Sequence, residues 1–284
     1  MALPNEIAST RPRRVLVTAA VWLAGAGFVL PLLWMLTSSF RTSEDIFGNL
    51  STLSWRLFLP HPFTVGNYAT LATGEFGLSV VNSVIVTAVT VVVGLLICAM
   101  AAFALSMLRF RGAALVFSVV VLSFLVPFDA IAVPLAVLFR DWQLSNTYAG
   151  LILPGLANGL AIFVLRQFFL GIPAELAEAA RVDGMSWWGI FLRIYLPLSK
   201  PALIGAGFTL FLFQWGAYLW PLLIGTEPSK VLGPIALANL SGQFGVDFGA
   251  IFAGAVLLTL APLLVLLFFQ RYFTASLSST GIKN

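Results

Sequence analysis

Charge is scarce in this sequence. Lys, Arg, Asp and Glu make up 9% of its 284 residues, where a soluble domain carries about 25%. Cysteine and histidine are scarcer still, with one of each, Cys98 and His61. An intrachain disulfide needs two cysteines, and a structural zinc site needs four Cys or His ligands, so both are excluded. Cys98 lies in an apolar run and reads as a small buried filler. His61 sits beside prolines in a polar gap and reads as solvated. A net charge of +4, scattered along the chain, is too little for nucleic-acid binding. None of the three lysines, Lys200, Lys230 and Lys283, follows a glycine, so there is no Walker A loop. Paired aspartates and an HExxH pattern, which an intramembrane enzyme would need, are missing too, and the chain reads as no enzyme.

What the sequence has in abundance is oil. Hydrophobic residues occupy 60% of the positions and the mean hydropathy is +1.00. A bilayer core takes about 20 apolar residues as helix, and six runs qualify: 15–36, 80–105, 113–138, 148–169, 202–224 and 249–269. Each must be helical, because lipid offers no partner to open backbone groups. The predicted class is all-α, a polytopic membrane protein with six transmembrane helices. The first run is longer than the core of a cleavable signal peptide and reads as an uncleaved anchor. Six crossings put both termini on one side. That side, with the 106–112 turn and the 166–200 gap, holds eleven basic residues against four on the other. The positive-inside rule makes it cytoplasmic. The expected organisation is a cytoplasmic arm over 1–14, a transmembrane domain over 15–270 and a cytoplasmic tail over 271–284, in the cell membrane.

The charge that does exist is gathered in one place. Glu175, Glu178, Arg181, Asp183, Arg193 and Lys200 fall in a single gap between apolar runs. Pro173 suits the first turn of a helix, Gly184 suits its left-handed end, and Ser186 can cap a second helix that stops before Pro197. The expected structure is a helix–turn–helix loop over 171–198, between the fourth and fifth spans. Trp188, Phe191, Leu192 and Tyr195 form a stripe on its second half. These features fit a hairpin resting on lipid headgroups or helix ends equally with a docking element for another protein.

The stretch EAARVDGMSWWGIFLRIYLP, residues 178–197, resembles in full the EAA loop of permease subunits of binding-protein-dependent ABC importers. "NSVIVT" (82–87), "FALSMLRFRG" (103–112), "NTYAGLILP" (146–154) and "ANLSGQFGVDFGAIFA" (238–253) are similar to the carbohydrate-uptake branch, to its second, smaller, maltose-type permease. The resemblance implies that the loop seats in a separate ATPase subunit. Glu178 would make the charged contact and Gly184 set the turn. Ala179 and Ala180 would allow close approach, with Ile194, Leu196 and Pro197 completing the coupling motif. It also implies the partners: a second homologous permease, two ATPase subunits that bind the ATP and Mg, an extracytoplasmic solute-binding protein and the lipid bilayer. No cofactor is implied in this chain. The loop 225–248 resembles the segment that reaches toward the binding protein, and the tail resembles one lying along the ATPases.

Polar groups inside spans are the candidates for the transport path. They are Asn82, Asp129, Gln214, Trp215 and Tyr218, with Gln214 and Tyr218 spaced to face a pore together. Helix packing for the 82–94 stretch, wetting of Asp129 at a span end, and an aromatic belt for the Trp and Tyr residues are the competing readings. The expected solute is a sugar. No basic residue lies deep in a span, which disfavours the alternative, a glycerol-phosphate derivative. A secondary transporter or channel without an ATPase is the alternative mechanism, with only Asp129 available as a coupling acid.

Overall fold

The computed structural model describes residues 6–48, 59, 62–241 and 246–280, giving the backbone alone for 6–13 and 271–280. His61 lies outside the described residues, as does the end of the C-terminal tail. Helices account for nearly all the order, and the chain divides into two units, 1–73 with 239–257 and 74–238 with 258–284.

In the first unit α1 (Glu6–Ser38) is followed by two short helices, α2 (Ser43–Gly48) and α3 (Gly66–Thr73). The turn after α1 is held by polar groups. The Asn67 amide donates to the carbonyls of Ser39 and Arg41 at 2.9 and 2.8 Å, and the buried Arg41 guanidinium meets Asp45 at 2.7 Å. Apart from Trp34, which meets Phe252 edge-on at 5.1 Å, α1 leaves its apolar surface largely uncovered: no residue of its most apolar window is buried.

The second unit is organised on α4 (Glu75–Met107). Around it come α5 (Ala113–Leu125), α6 (Phe128–Asp141), α7 (Tyr148–Ile152) and α8 (Gly159–Leu170). A hairpin then follows, α9 (Ala174–Val182), α10 (Trp187–Ile190), a π-helical turn over Phe191–Tyr195 and α11 (Leu196–Leu198). The chain returns through α12 (Lys200–Trp215) and α13 (Leu219–Ile224), then α14 (Gly233–Asn239) and α15 (Phe248–Thr280), whose first part belongs to the first unit.

The predicted apolar runs are helical, but three are not the straight rods expected. The 113–138 run is bent by 98° between α5 and α6. Pro127 sits at the break, with Val126 held extended before it, as a residue preceding proline must be. The 148–169 run bends by 43° around a tight turn at Leu153–Gly155. The 202–224 run ends its first helix at Trp215 and resumes at Leu219, and the third bent pair is not this run but Trp187–Leu198 with Lys200–Trp215, which meet at 84°. Three helices, Arg14–Ser38, Glu75–Met107 and Phe248–Gln270, are long and apolar enough to cross alone, and the bent pairs bring the number to as many as six.

Two packed clusters lie along α4. Near one end Cys98, Ala102 and Phe103 meet Leu165 and Phe169 of α8 and Phe191 and Tyr195 of the hairpin. Near the other, Val86 joins Ala132, Phe139, Leu151, Trp220 and Leu232.

Candidate functional site

The hairpin is built as its sequence directs. Pro173 precedes the first turn of α9. The helix closes with Gly184 in the left-handed region, φ +80°, where the Met185 N–H donates to the Ala180 carbonyl at 2.9 Å and the Gly184 N–H to that of Arg181. Arg181 folds back to donate to the Met185 carbonyl at 2.9 Å, its guanidinium 5.2 Å from the Trp187 ring. The Ser186 hydroxyl then accepts from the Gly189 N–H at 3.1 Å, capping α10.

The second helix does not stop before Pro197. It widens into the π-helical turn and runs to Leu198, where the Ser199 N–H reaches the Tyr195 carbonyl. A wide turn is one way to seat a proline whose missing N–H and ring disturb the α ladder. Ile194 and Leu196 are half-buried and Pro197 is exposed.

Burial divides the motif. Glu175, Glu178, Ala179 and Arg181 are exposed, and Val182 is 89% exposed although apolar. Ala177 and Ala180 are buried in the cluster that the hairpin shares with α4 and α8. So Ala180 thins the inner face of α9, not the outer one. The aromatic stripe divides too. Trp188 and Leu192 face outward, while Phe191 and Tyr195 are fully buried. The Tyr195 hydroxyl lies 3.0 Å from the Met107 sulfur and its ring meets Phe103 edge-on at 5.0 Å. Burial holds the Tyr195 phenol above its usual pKa.

The polar residues of the spans are held differently. Asn82 is fully buried and its amide is engaged on every side. Its nitrogen donates to the Ser229 and Val231 carbonyls at 3.0 and 3.1 Å, and its oxygen accepts from the Tyr148 hydroxyl at 2.7 Å. Gln214 is only 8% exposed and stands where a β-carbon on Gly155 would lie 2.7 Å from its amide oxygen. The indole N–H of Trp215 donates to the Leu258 carbonyl at 3.1 Å. Tyr218 follows the break at Gly216, so the helical register linking it to Gln214 is lost, and it is 46% exposed. Asp129 is exposed in the first turn of α6, where a carboxylate meets the positive end of the helix dipole.

Ser83, in the polar 82–94 stretch, and Asn146, which pattern reading did not single out, organise the same region. The Ser83 hydroxyl accepts from the Gly233 N–H at 2.8 Å. Asn146, at φ +56°, accepts from the N–H groups of Thr226 and Glu227 at 2.8 and 3.0 Å. Asn146 had one visible signal, as asparagine tolerates this conformation better than most residues. A cavity of about 880 Å³ opens between α4, α12 and α15, lined by Val91, Leu95, Phe208, Phe211, Trp215 and Phe268 among others. Thr87 is the one hydroxyl on its wall, so its chemistry suits hydrocarbon.

Comparison with known proteins adds the context for this geometry. The family model described as "Binding-protein-dependent transport system inner membrane component" matches residues 94–279. The arabinooligosaccharides transport system permease protein of Halalkalibacterium halodurans is 37% identical over 272 residues, covering 92% of this chain and 96% of that one. The trehalose transport system permease protein of Mycobacterium tuberculosis is 32% identical, covering 90% and 92%. A solved bacterial ABC transporter involved in the import of the acidic polysaccharide alginate contains a chain that superposes with a TM-score of 0.81, at 20% identity, over 96% of this chain and all of its own. At that identity the likeness is one of fold.

Proposed function

The chain belongs to the family of binding-protein-dependent transport system inner membrane components, and from that membership we propose that it forms one half of the membrane channel of an ATP-driven sugar importer. It is a multi-pass permease subunit, of a family of transporter subunits and not of enzymes, and its solute is delivered by a binding protein. The solute is a neutral sugar or oligosaccharide, the class for which the similar arabinooligosaccharide and trehalose permeases are named. The other half of the channel is a second homologous permease. Two ATPase subunits bind at the hairpin, on the cytoplasmic side, where both termini also lie. The domain organisation follows: 1–14 and 271–284 flank a transmembrane domain over 15–270 that carries the coupling loop 171–198.

The observation that carries this reading is the outward face of the hairpin. Glu175, Glu178 and the large apolar Val182 stand exposed on α9, and Trp188 is exposed on α10. Charged groups together with exposed large apolar ones are the composition of a protein contact. Glu178 supplies the charged contact, Gly184 the fixed angle between the two helices, and Ala179 the room for approach. Ala180, with the half-buried Ile194 and Leu196, holds the hairpin's shape from within, and the exposed Pro197 sets its end. What supports a second permease is α1, a span-length apolar helix with no buried residue in its apolar window. Of the path candidates, the exposed Tyr218 and Asp129 face the solute. Asn82, Gln214 and Trp215, buried or bonded to backbone, form the wall behind them.

The test is purification from native membranes. The wild-type chain brings down an ATPase and a second permease, and Glu178→Lys is inserted normally but loses the ATPase. A wild-type chain that transports sugar with no ATPase attached would overturn the reading in favour of a channel or secondary transporter.

A further inference from the structure

The six crossings differ in one respect that bears on how force passes through the membrane. Three are broken pairs, α1 contains Pro31 and α15 contains Pro262. Among the described spans, α4 alone has neither a proline nor a break over its 33 residues. Broken and proline-bearing helices flex at their interruptions, whereas an intact hydrogen-bonded helix moves as one body.

Both ends of this helix are attached to loops. At the hairpin end Phe103 packs edge-on against Tyr195 and also against Phe191 at 5.2 Å, and the Met107 sulfur takes the Tyr195 hydroxyl. At the other end Asn82 donates to the Ser229 and Val231 carbonyls, and Ser83, its neighbour, takes the N–H of Gly233. Tyr148 completes this clamp. Its hydroxyl donates to Asn82 and its ring lies 4.7 Å from the Lys230 ammonium. Asn82 and Met107 are 25 residues apart, about 37 Å along a helix at 1.5 Å per residue.

We infer that α4 is a rod joining the ATPase-facing hairpin to the outer loop 226–233, and that Asn82 is the positioning residue that fastens the loop to it. The inference rests on the proposed function and goes beyond it. Loop 226–233 has no packed helix of its own at its tip, only the short turn Pro228–Lys230. Its place is set by the side chains that grip its backbone, Asn82 and Ser83 from α4 and Asn146 from the neighbouring loop, and by Leu232, buried in one cluster with Val86 of α4. A shift of the hairpin that carries Tyr195 moves Phe103 and Met107, hence α4, hence Asn82 and the loop. By linkage the reverse holds, so a binding protein pressing on the loop biases the hairpin.

The experiment uses the importer complex purified from native membranes, with a spin label at Ser229→Cys. Ser229 is exposed, and the one native cysteine, Cys98, is buried. The probe is ATP with vanadate, which acts on the ATPases alone. In the labelled parent the spectrum at 229 changes on addition. In Asn82→Leu the change falls about fivefold, while ATP hydrolysis and ATPase co-purification stay at parental levels. Tyr148→Phe, a milder loss, halves it, and decides the matter if Asn82→Leu does not assemble. An undiminished response in the assembled variants, or no response in the parent, overturns the rod. A parent that carries no ATPase overturns instead the function on which the rod rests, a distinct result.

Discussion

The hairpin and the middle of the bundle treat polar residues in opposite ways. In the hairpin Glu175, Glu178 and Arg181 are turned outward, and the residues turned inward are Ala177, Ala180, Phe191 and Tyr195. In the bundle Asn82 and Gln214 are turned inward, while apolar side chains cover much of the outside. The solvents explain the inversion. Water welcomes a carboxylate, so a charge in the hairpin is free to wait for a partner. Lipid does not, so a polar group in a span must find its partner inside the fold. The contrast fits the proposal that a polar residue in the hairpin waits for a partner chain, whereas Asn82 in α4 joins that helix to a loop of its own chain.

The sharpest way to break this contrast is to reverse one hairpin charge. Glu178 is exposed, so Glu178→Lys leaves insertion intact. Placing a like charge against the basic site of an ATPase costs enough to lower sugar uptake about a hundredfold. Uptake measured in whole cells, with membrane content checked by immunoblot, gives the answer. Uptake near the parental level would place Glu178 among ordinary solvated residues and dissolve the contrast.

Much of the hairpin was legible in the sequence because its signals are local. Pro173, Gly184 and Ser186 act within one turn of themselves, and each does in the structure what its residue type dictates. The π-helical turn was not legible, since it is a compromise between Pro197 and the packing of Phe191 and Tyr195. The number of spans could be read from apolar runs, but not their bends, because a hydropathy window sums over residues such as Pro127 and Gly155 without seeing direction. The path residues were least legible. Whether Asn82 faces a pore or grips Ser229, 147 positions away, depends on a long-range contact that no periodicity reports.

A second variant sharpens the hairpin side. No atom lies within 4 Å of a β-carbon on Gly184, so Gly184→Val meets no clash, only the strain of a β-branched residue at φ +80°. That strain is about 1–2 kcal/mol and falls on the angle between the two helices. The expected result is an inserted chain with ATPase co-purification reduced about tenfold, which 1.4 kcal/mol equals. Gly184→Asn, which tolerates the conformation, restores most of it.

On the bundle side Tyr218 is the exception that tests the rule, an exposed aromatic just after a helix break. If it faces the sugar, Tyr218→Ala raises the half-saturating sugar concentration for uptake about fivefold, roughly 1 kcal/mol of lost ring contact, with assembly unchanged. An unchanged concentration would return Tyr218 to the aromatic belt.

The smallest effect concerns the joint where the two regions meet. The Tyr195 phenol is buried and titrates above its usual pKa because burial disfavours the phenolate. The folded state therefore keeps its proton at a pH where the unfolded chain, with a pKa of about 10, has begun to lose it. This contribution is fully present below pH about 10 and is lost as the pH rises through the higher folded-state value. Tyr195→Phe removes the weak contact with the Met107 sulfur, a cost of about 0.5–1 kcal/mol at neutral pH, and removes the titration with it. Thermal melts of the purified complex should show the variant slightly less stable at pH 7 and the gap narrowing, then vanishing, above pH about 10. A gap independent of pH would mean that the phenol reaches water, and that the seal between hairpin and α4 is looser than the packing of Phe103 and Tyr195 requires.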